Sequence, residues 1–350
     1  MEKSSGPRIE WIDNLKFIGM FYIYLGHLGA VGDKLYPFVF SFHVPLFFFM
    51  SGLFYNRSSD LAAGLQKIIK SFIKIIIPYA VFSVIGIAVY ALKWNLPPER
   101  LHDMLIKAAM GIRNQVPITS LWFLPCLFMV IVYYTVANVL IKNAFYIFII
   151  SLVAYCLTPV WATKMPSMIF NVDSALHYLS YFSFGVLVSN KVKKEWSVAY
   201  EGKMRGLITF IVMLSFAYFA YSYQYGTFSK FKGVQSPELR YLIYFFVTCF
   251  MFLPSIALAY FINIKAIRDL GRNSLVLCGT EQILKVMVPT ILLAFGVKLQ
   301  LKDPLQAVLY TSILMTISYF TIIKIYSSFS IRKHTVSGDS DFLVKDKNQS

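Results

Sequence analysis

Residues 11–31, WIDNLKFIGMFYIYLGHLGAV, and 38–55, FVFSFHVPLFFFMSGLFY, read as the two arms of a membrane hairpin carrying Lys16, His27 and His43. Each arm is close to the roughly 20 apolar residues needed to cross a hydrocarbon core about 30 Å thick. An ionisable side chain at bilayer depth costs roughly 2.5–3.5 kcal/mol on insertion scales, so three close together predict chemistry inside the membrane. Helical rise puts His27 ~16 Å beyond Lys16. Counting inward from Tyr36 puts His43 ~10 Å below the outer surface, level with His27 and slightly outside the midplane. A lone membrane histidine often only hydrogen-bonds a neighbouring helix. Two at matched depth above a cation predict a shared cavity, and imidazole is the side chain best suited to proton transfer near neutral pH.

The rest of the chain extends this pattern. Of 350 residues, 57% are hydrophobic and 14% charged, which excludes an ordinary soluble domain, where about 25% are charged. Apolar runs at 14–31, 36–55, 71–92, 119–141, 144–161, 174–190, 206–225, 239–262, 273–296 and 305–327 predict an all-α integral membrane protein, a single polytopic bundle of about ten transmembrane helices. Pro159, Pro166 and Asp173 blur the ends of the fifth and sixth runs. The first run is full length, with Asp13 and Lys16 at its entrance, and reads as a retained span rather than a cleavable leader. With the N-terminus inside, 21 of the 33 Lys and Arg residues fall on the cytoplasmic side, 11 fall outside and Lys285 falls within a span. That asymmetry assigns both termini to the cytoplasm. Residues 1–328 then form the membrane domain, and the polar stretch 329–350 reads as a disordered cytoplasmic tail with His334 in solvent. The longest connection, 93–118, carries Pro97, Pro98 and Pro117 and is too short for a separate domain. Internal repeats of the kind many transporters show are not visible.

The net charge of +16 would suggest nucleic acid in a soluble protein. Clustered at cytoplasmic span ends, it points instead to the lipid bilayer and its anionic headgroups, with a phosphorylated cofactor as the remaining reading. Nucleic acid is not an expected partner. Cys126, Cys156, Cys249 and Cys278 show neither pairing nor metal-ligand spacing and read as small hydrophobes. His102, in the outer connection, reads as surface. His177 follows Asp173 at i+4, which favours a helix-surface pair over catalysis.

The hairpin resembles the membrane acyltransferase-3 family, and looks especially like its sugar O-acetylase branch, which includes fucose 4-O-acetylase-related proteins. In RIEWIDNLKFIGMFYIYLGH, Lys16 and His27 match the family's basic residue, ten-residue gap and histidine. SFHVPLFFFMSGLFY matches at Phe42, His43, Pro45, Phe47, Phe48, Ser51 and Gly52. Further matches, in family order, are Lys67, Lys70 and Lys74 leading into IIIPY, LWFLPCLF at Leu121 to Phe128, YFSFG at Tyr181 to Gly185, and GRNSL at Gly271 to Leu275. One departure stands out. The family commonly has a histidine seven residues after the Ser of its G-x-x-S element, whereas Ser274 is followed at that spacing by Glu281. Glu281 either replaces the histidine as a hydrogen-bonding or proton-accepting group or marks an altered site. Lys285, at i+4, makes a pair that renders both charges tolerable in lipid, whether for catalysis or for structure alone.

The resemblance implies a membrane O-acyltransferase of the bacterial cytoplasmic (inner) membrane. It would move an acyl group, usually acetyl, from cytoplasmic acetyl-CoA to a hydroxyl of a cell-surface glycan or lipid-linked saccharide precursor, without a metal. The residues fit that chemistry. A sugar hydroxyl is a poor nucleophile, and a neutral imidazole takes its proton as it attacks a thioester. His27 is the expected base, with His43 orienting the acceptor or stabilising charge; an acyl-histidine relay is the other course. Lys16, Lys67, Lys70 and Lys74 are candidates to hold the CoA phosphates, with lipid anchoring the competing reading for Lys67 and Lys70. Asp13, one turn before Lys16, is placed to neutralise or orient it. Phe47, Phe48 and Phe49 read as bundle packing, Ser51 and Gly52 as a close helix approach, and Asn273 with Ser274 as a cap. The rival classes are a proton-coupled transporter or flippase using the same buried His, Glu and Lys, and a non-catalytic accessory protein.

Overall fold

The computed structural model describes residues 9–33, 35–161, 168–199, 203–221, 234, 236–262 and 264–323, and the regular structure among them is helical. The tail 329–350, His334 and Pro166 lie outside the described residues. The helices are α1 Glu10–Gly26, α2 Leu35–Phe40, α3 His43–Leu53, α4 Leu61–Ser71, α5 Ile77–Trp94, α6 Pro98–Met110, α7 Phe123–Ile141 and α8 Ala144–Cys156. They continue with α9 Thr158–Trp161, α10 Val172–Ala199, α11 Lys203–Tyr221, α12 Pro237–Phe261, α13 Lys265–Arg272, α14 Ser274–Ala294 and α15 Pro304–Ser318. Helix coincides with each expected apolar run. Among the described residues, five helical stretches are long and apolar enough to cross a membrane by length and composition: Leu35–Leu53, Leu61–Trp94, Thr119–Ile141, Pro237–Phe261 and Ser274–Ala294. The molecule is an all-α membrane protein.

Two prolines reshape spans that the sequence suggests are continuous. Pro45 has no N–H to offer the Ser41 carbonyl and its ring would collide with it. The second span therefore breaks at Ser41–Phe42, with Ser41 Oγ bonded to the Phe38 carbonyl at 2.6 Å, and the helix restarts at His43. Pro78 poses the same problem for Lys74. The chain meets it with a π-helical turn over Phe72–Ile76, whose extra residue per turn is a frequent mark of functional sites. The first span also ends earlier than the expected 31, with His27 as its C-cap. The connection 93–118 contains α6.

Helices in lipid gain little from burying apolar surface against one another, so close packing of small residues has to hold them together. Gly52 on α3 and Gly185 on α10 meet this need reciprocally. A Cβ on Gly52 would collide with the Phe182 carbonyl, and one on Gly185 with the Phe49 carbonyl. That fulfils the expected close approach at Gly52. Gly271 similarly lets α13 lie against the Asp13 carbonyl of α1. Around these contacts Phe48 stacks on Tyr178 with centroids 4.5 Å apart, and Phe49 meets Phe252 at 5.2 Å. Phe48 and Phe49 of the aromatic run are packing elements, as its composition suggests.

Candidate functional site: two cavities sharing one wall

His27, at the end of α1, turns its ring toward α14. Its Nδ1 lies 3.2 Å from Glu281 Oε1, and the same carboxylate oxygen is 2.5 Å from Lys285 Nζ. Lys285 also donates to the Tyr24 carbonyl at 2.7 Å. Glu281 is fully buried, whereas His27 keeps 19% of its side chain accessible. The order is therefore Lys285, Glu281, His27, then open space. A carboxylate accepts, so Nδ1 carries the proton of the neutral imidazole and Nε2 is left with a lone pair. His43 has a matching arrangement: Nδ1 donates to the Val39 carbonyl at 2.6 Å, in the turn that Pro45 forces.

Both histidines line one cavity of about 360 Å³, on either side of Phe40. Arg113, Ser120, Trp122, Tyr155, His177 and Tyr178 line it too. Two of these correct or extend the sequence reading. His177 does not pair with Asp173 on a helix surface. Its Nδ1 is 3.2 Å from Thr158 Oγ1 and its ring lies tilted against that of Tyr155, centroids 4.4 Å apart, facing the cavity. Arg113, read only as one of the outer basic residues, reaches the same space. His102 is exposed, as expected.

A second cavity of about 310 Å³ lies behind the first, lined by Lys16, Met50, Ser51, Lys74, Leu127 and Ser274 among others. Ile23, Phe47 and Phe123 line both cavities and form the wall between them. Three segments run past that wall, α1 in the opposite sense to α3 and α7. Along α1 the order is Lys16 and Met20 in the second cavity, Ile23 in the wall, His27 in the first. Along α3 it is His43 and Pro45, then Phe47, then Met50 and Ser51. Leading into α7 it is Ser120 and Trp122, then Phe123, then Leu124 and Leu127. By the order of these residues the histidine cavity lies toward the side that the basic-residue asymmetry assigns as outer, and the lysine cavity toward the side it assigns as cytoplasmic.

Not every expected residue reaches these cavities. Lys16 and Lys74 do, Lys74 from the π-helical turn. Lys67 instead lies over the Tyr55 ring at 3.9 Å, and Lys70 is exposed on α4. Asp13, buried, is 3.7 Å from Lys16 Nζ and 3.3 Å from Arg272 Nε, so it joins α1 to α13. Ser51 Oγ is held by the Phe47 carbonyl at 2.8 Å. Ser274 opens α14 into the second cavity. Asn273 occupies the N-cap position but makes no side-chain cap; its amide turns back to the Asp269 carbonyl at 2.8 Å. Cys278 also lines the second cavity.

A helical membrane bundle with a carboxylate-oriented histidine facing one cavity and cations at the mouth of another has the parts of a group-transfer enzyme. The family model described as an acyltransferase domain, that of the acyltransferase-3 family, matches residues 9–323, and the chain belongs to that family. No curated protein and no solved structure matches it.

Proposed function

We propose that the protein transfers an acyl group, acetyl by preference, from cytoplasmic acyl-CoA to a hydroxyl of a glycan or glycan precursor on the outer side of a bacterial inner membrane. The observation that carries the reading is the shared wall of Ile23, Phe47 and Phe123, with His27 on one side and Lys16 and Lys74 on the other. Acyl-CoA fits the second cavity chemically. Its phosphates suit the two ammonium groups at the mouth, and its pantetheine arm suits the apolar lining of Met20, Met50, Leu124 and Leu127. The thioester then approaches the wall from the lysine side while the acceptor hydroxyl stands beside His27.

In the transfer step His27 Nε2 removes the hydroxyl proton as the oxygen bonds to the thioester carbon. The C–S bond breaks, the CoA thiolate leaves, and the proton held on His27 passes to that sulfur. Glu281 fixes the ring through Nδ1 and stabilises the imidazolium that forms, and Lys285 pairs with the buried Glu281 carboxylate. His43, with its Nδ1 committed to Val39, offers Nε2 to a second acceptor hydroxyl and orients the ring of the sugar. Membership in an acyltransferase family favours this reading over a proton-coupled transporter.

The test is release of free CoA by purified protein given acetyl-CoA and a panel of saccharides and lipid-linked saccharides. Acceptor-dependent release should fall about 10²–10⁴-fold in His27→Ala while acetyl-CoA binding persists. Undiminished turnover in that variant would remove His27 from the mechanism.

A further inference from the structure

We propose that the outer cavity is built for an acceptor bearing an anionic group, a carboxylate or a phosphate, and that Arg113 binds it. The proposal rests on the acyl-transfer reading of the same cavity and names the class of acceptor. It begins with a piece of backbone held in place for this one side chain. Gly111 ends α6 in the left-handed region, at φ +64, and sends the chain back toward the bundle. Asn171 then fixes the returning strand. Its fully buried amide donates to the Gly111 carbonyl at 2.6 Å and the Trp122 carbonyl at 3.2 Å, and accepts from the Arg113 N–H at 2.6 Å.

The guanidinium is oriented as carefully as the backbone. It lies over the Trp122 ring at 4.4 Å, and Nη1 donates to the Tyr178 hydroxyl at 3.3 Å. These contacts aim the group without neutralising it. Among the described residues no carboxylate lies within ion-pair distance of Arg113, and no Asp or Glu lines the cavity. Elsewhere in the bundle Lys285 has Glu281, and Lys16 and Arg272 share Asp13, while Lys67 meets the Tyr55 ring and lies outside this cavity. A guanidinium carries five N–H donors in a planar fork matched to carboxylate and phosphate oxygens, and Tyr178 uses one. Trp122, Tyr155, Tyr178, Tyr241 and Tyr244 supply ring faces and hydroxyls around it, the lining that suits a saccharide. A neutral sugar would leave the fork without an anionic partner. An acidic or phosphorylated sugar completes it.

Isothermal titration of the purified protein with glucose, glucuronate and glucose 1-phosphate tests this. At least one of the two anionic sugars should bind about tenfold or more tightly than glucose, and the preferred one tells carboxylate from phosphate. Arg113→Gln should abolish the preference and Arg113→Lys should restore part of it; acetyl-CoA titration of each variant, at the other cavity, checks that it is folded. Equal affinity for all three sugars, failure of both anionic sugars to bind, or a preference that survives Arg113→Gln overturns the proposal. Binding preference needs no turnover, so the two readings fail separately. Anion-selective binding without acyl transfer breaks the acyltransferase reading alone, and acyl transfer without anion preference breaks this one alone.

Discussion

The two cavities differ in the way they handle charge. In the histidine cavity the ionisable groups His27, His43, His177 and Arg113 form the walls of the space itself, and the charge pair that supports His27, Glu281 with Lys285, sits one layer behind. On the inner side the lining is apolar apart from two lysines and two serines, and Asp13 partly balances Lys16. A surface that must move a proton needs titratable groups in contact with substrate. A surface that only holds a phosphorylated donor needs cations at its mouth and an unreactive passage for the acyl arm. On the proposed reading the bundle divides recognition of the donor from activation of the acceptor, with three side chains between.

Several substitutions sharpen or break that division. The largest structural effect belongs to Glu281. Glu281→Ala strands the Lys285 ammonium in a site where it keeps only the Tyr24 carbonyl, and should cost about 3–5 kcal/mol of stability. Glu281→Ala with Lys285→Ala should recover most of the thermal midpoint in detergent and none of the turnover. If the double variant is both stable and active, the pair is merely structural and His27 needs no orienting group. On the donor side, Lys74→Glu should raise the KM for acetyl-CoA about tenfold, the weight of one charge-assisted contact, and leave the KM for the acceptor unchanged. An equal change in both KM values would mean that the cavities are not separate. The smallest effect is expected at Lys70. It is exposed on α4, so Lys70→Glu should change the KM for acetyl-CoA by less than about twofold, as surface charges usually do. A shift matching that of Lys74 would extend the donor site onto the membrane surface.

Much of this was readable from residues whose partners are close in sequence or whose type is out of place. Lys16, His27 and His43 stand out because lipid penalises them. Asp13 with Lys16 and Glu281 with Lys285 are legible because i+3 and i+4 spacing puts side chains on one helix face. The break before His43 was also available, since Pro45 cannot continue a helix through Ser41. His27 with Glu281 was less so, as 254 positions separate them. Arg113 and His177 escaped for the same reason. Their surroundings come from Trp122, Asn171, Thr158 and Tyr155, on segments that meet only in the folded bundle, and by local pattern Arg113 is one more outer basic residue. One signal for His177 was there: its neighbour Tyr178 and Tyr181 repeat at helical spacing beside it, a polar-edged aromatic face that suits a cavity better than a lipid surface.

The central claim is that donor and acceptor meet across the Phe47 and Phe123 wall from opposite sides of the membrane. It is tested most directly in sealed vesicles holding the protein in one known orientation, with acetyl-CoA confined to the side of Lys16 and Lys74 and an acceptor that cannot cross confined to the side of His27. Acetylated acceptor should form in that arrangement and not when both reactants are confined to the lysine side. Transfer only with both reactants on the lysine side would contradict the account.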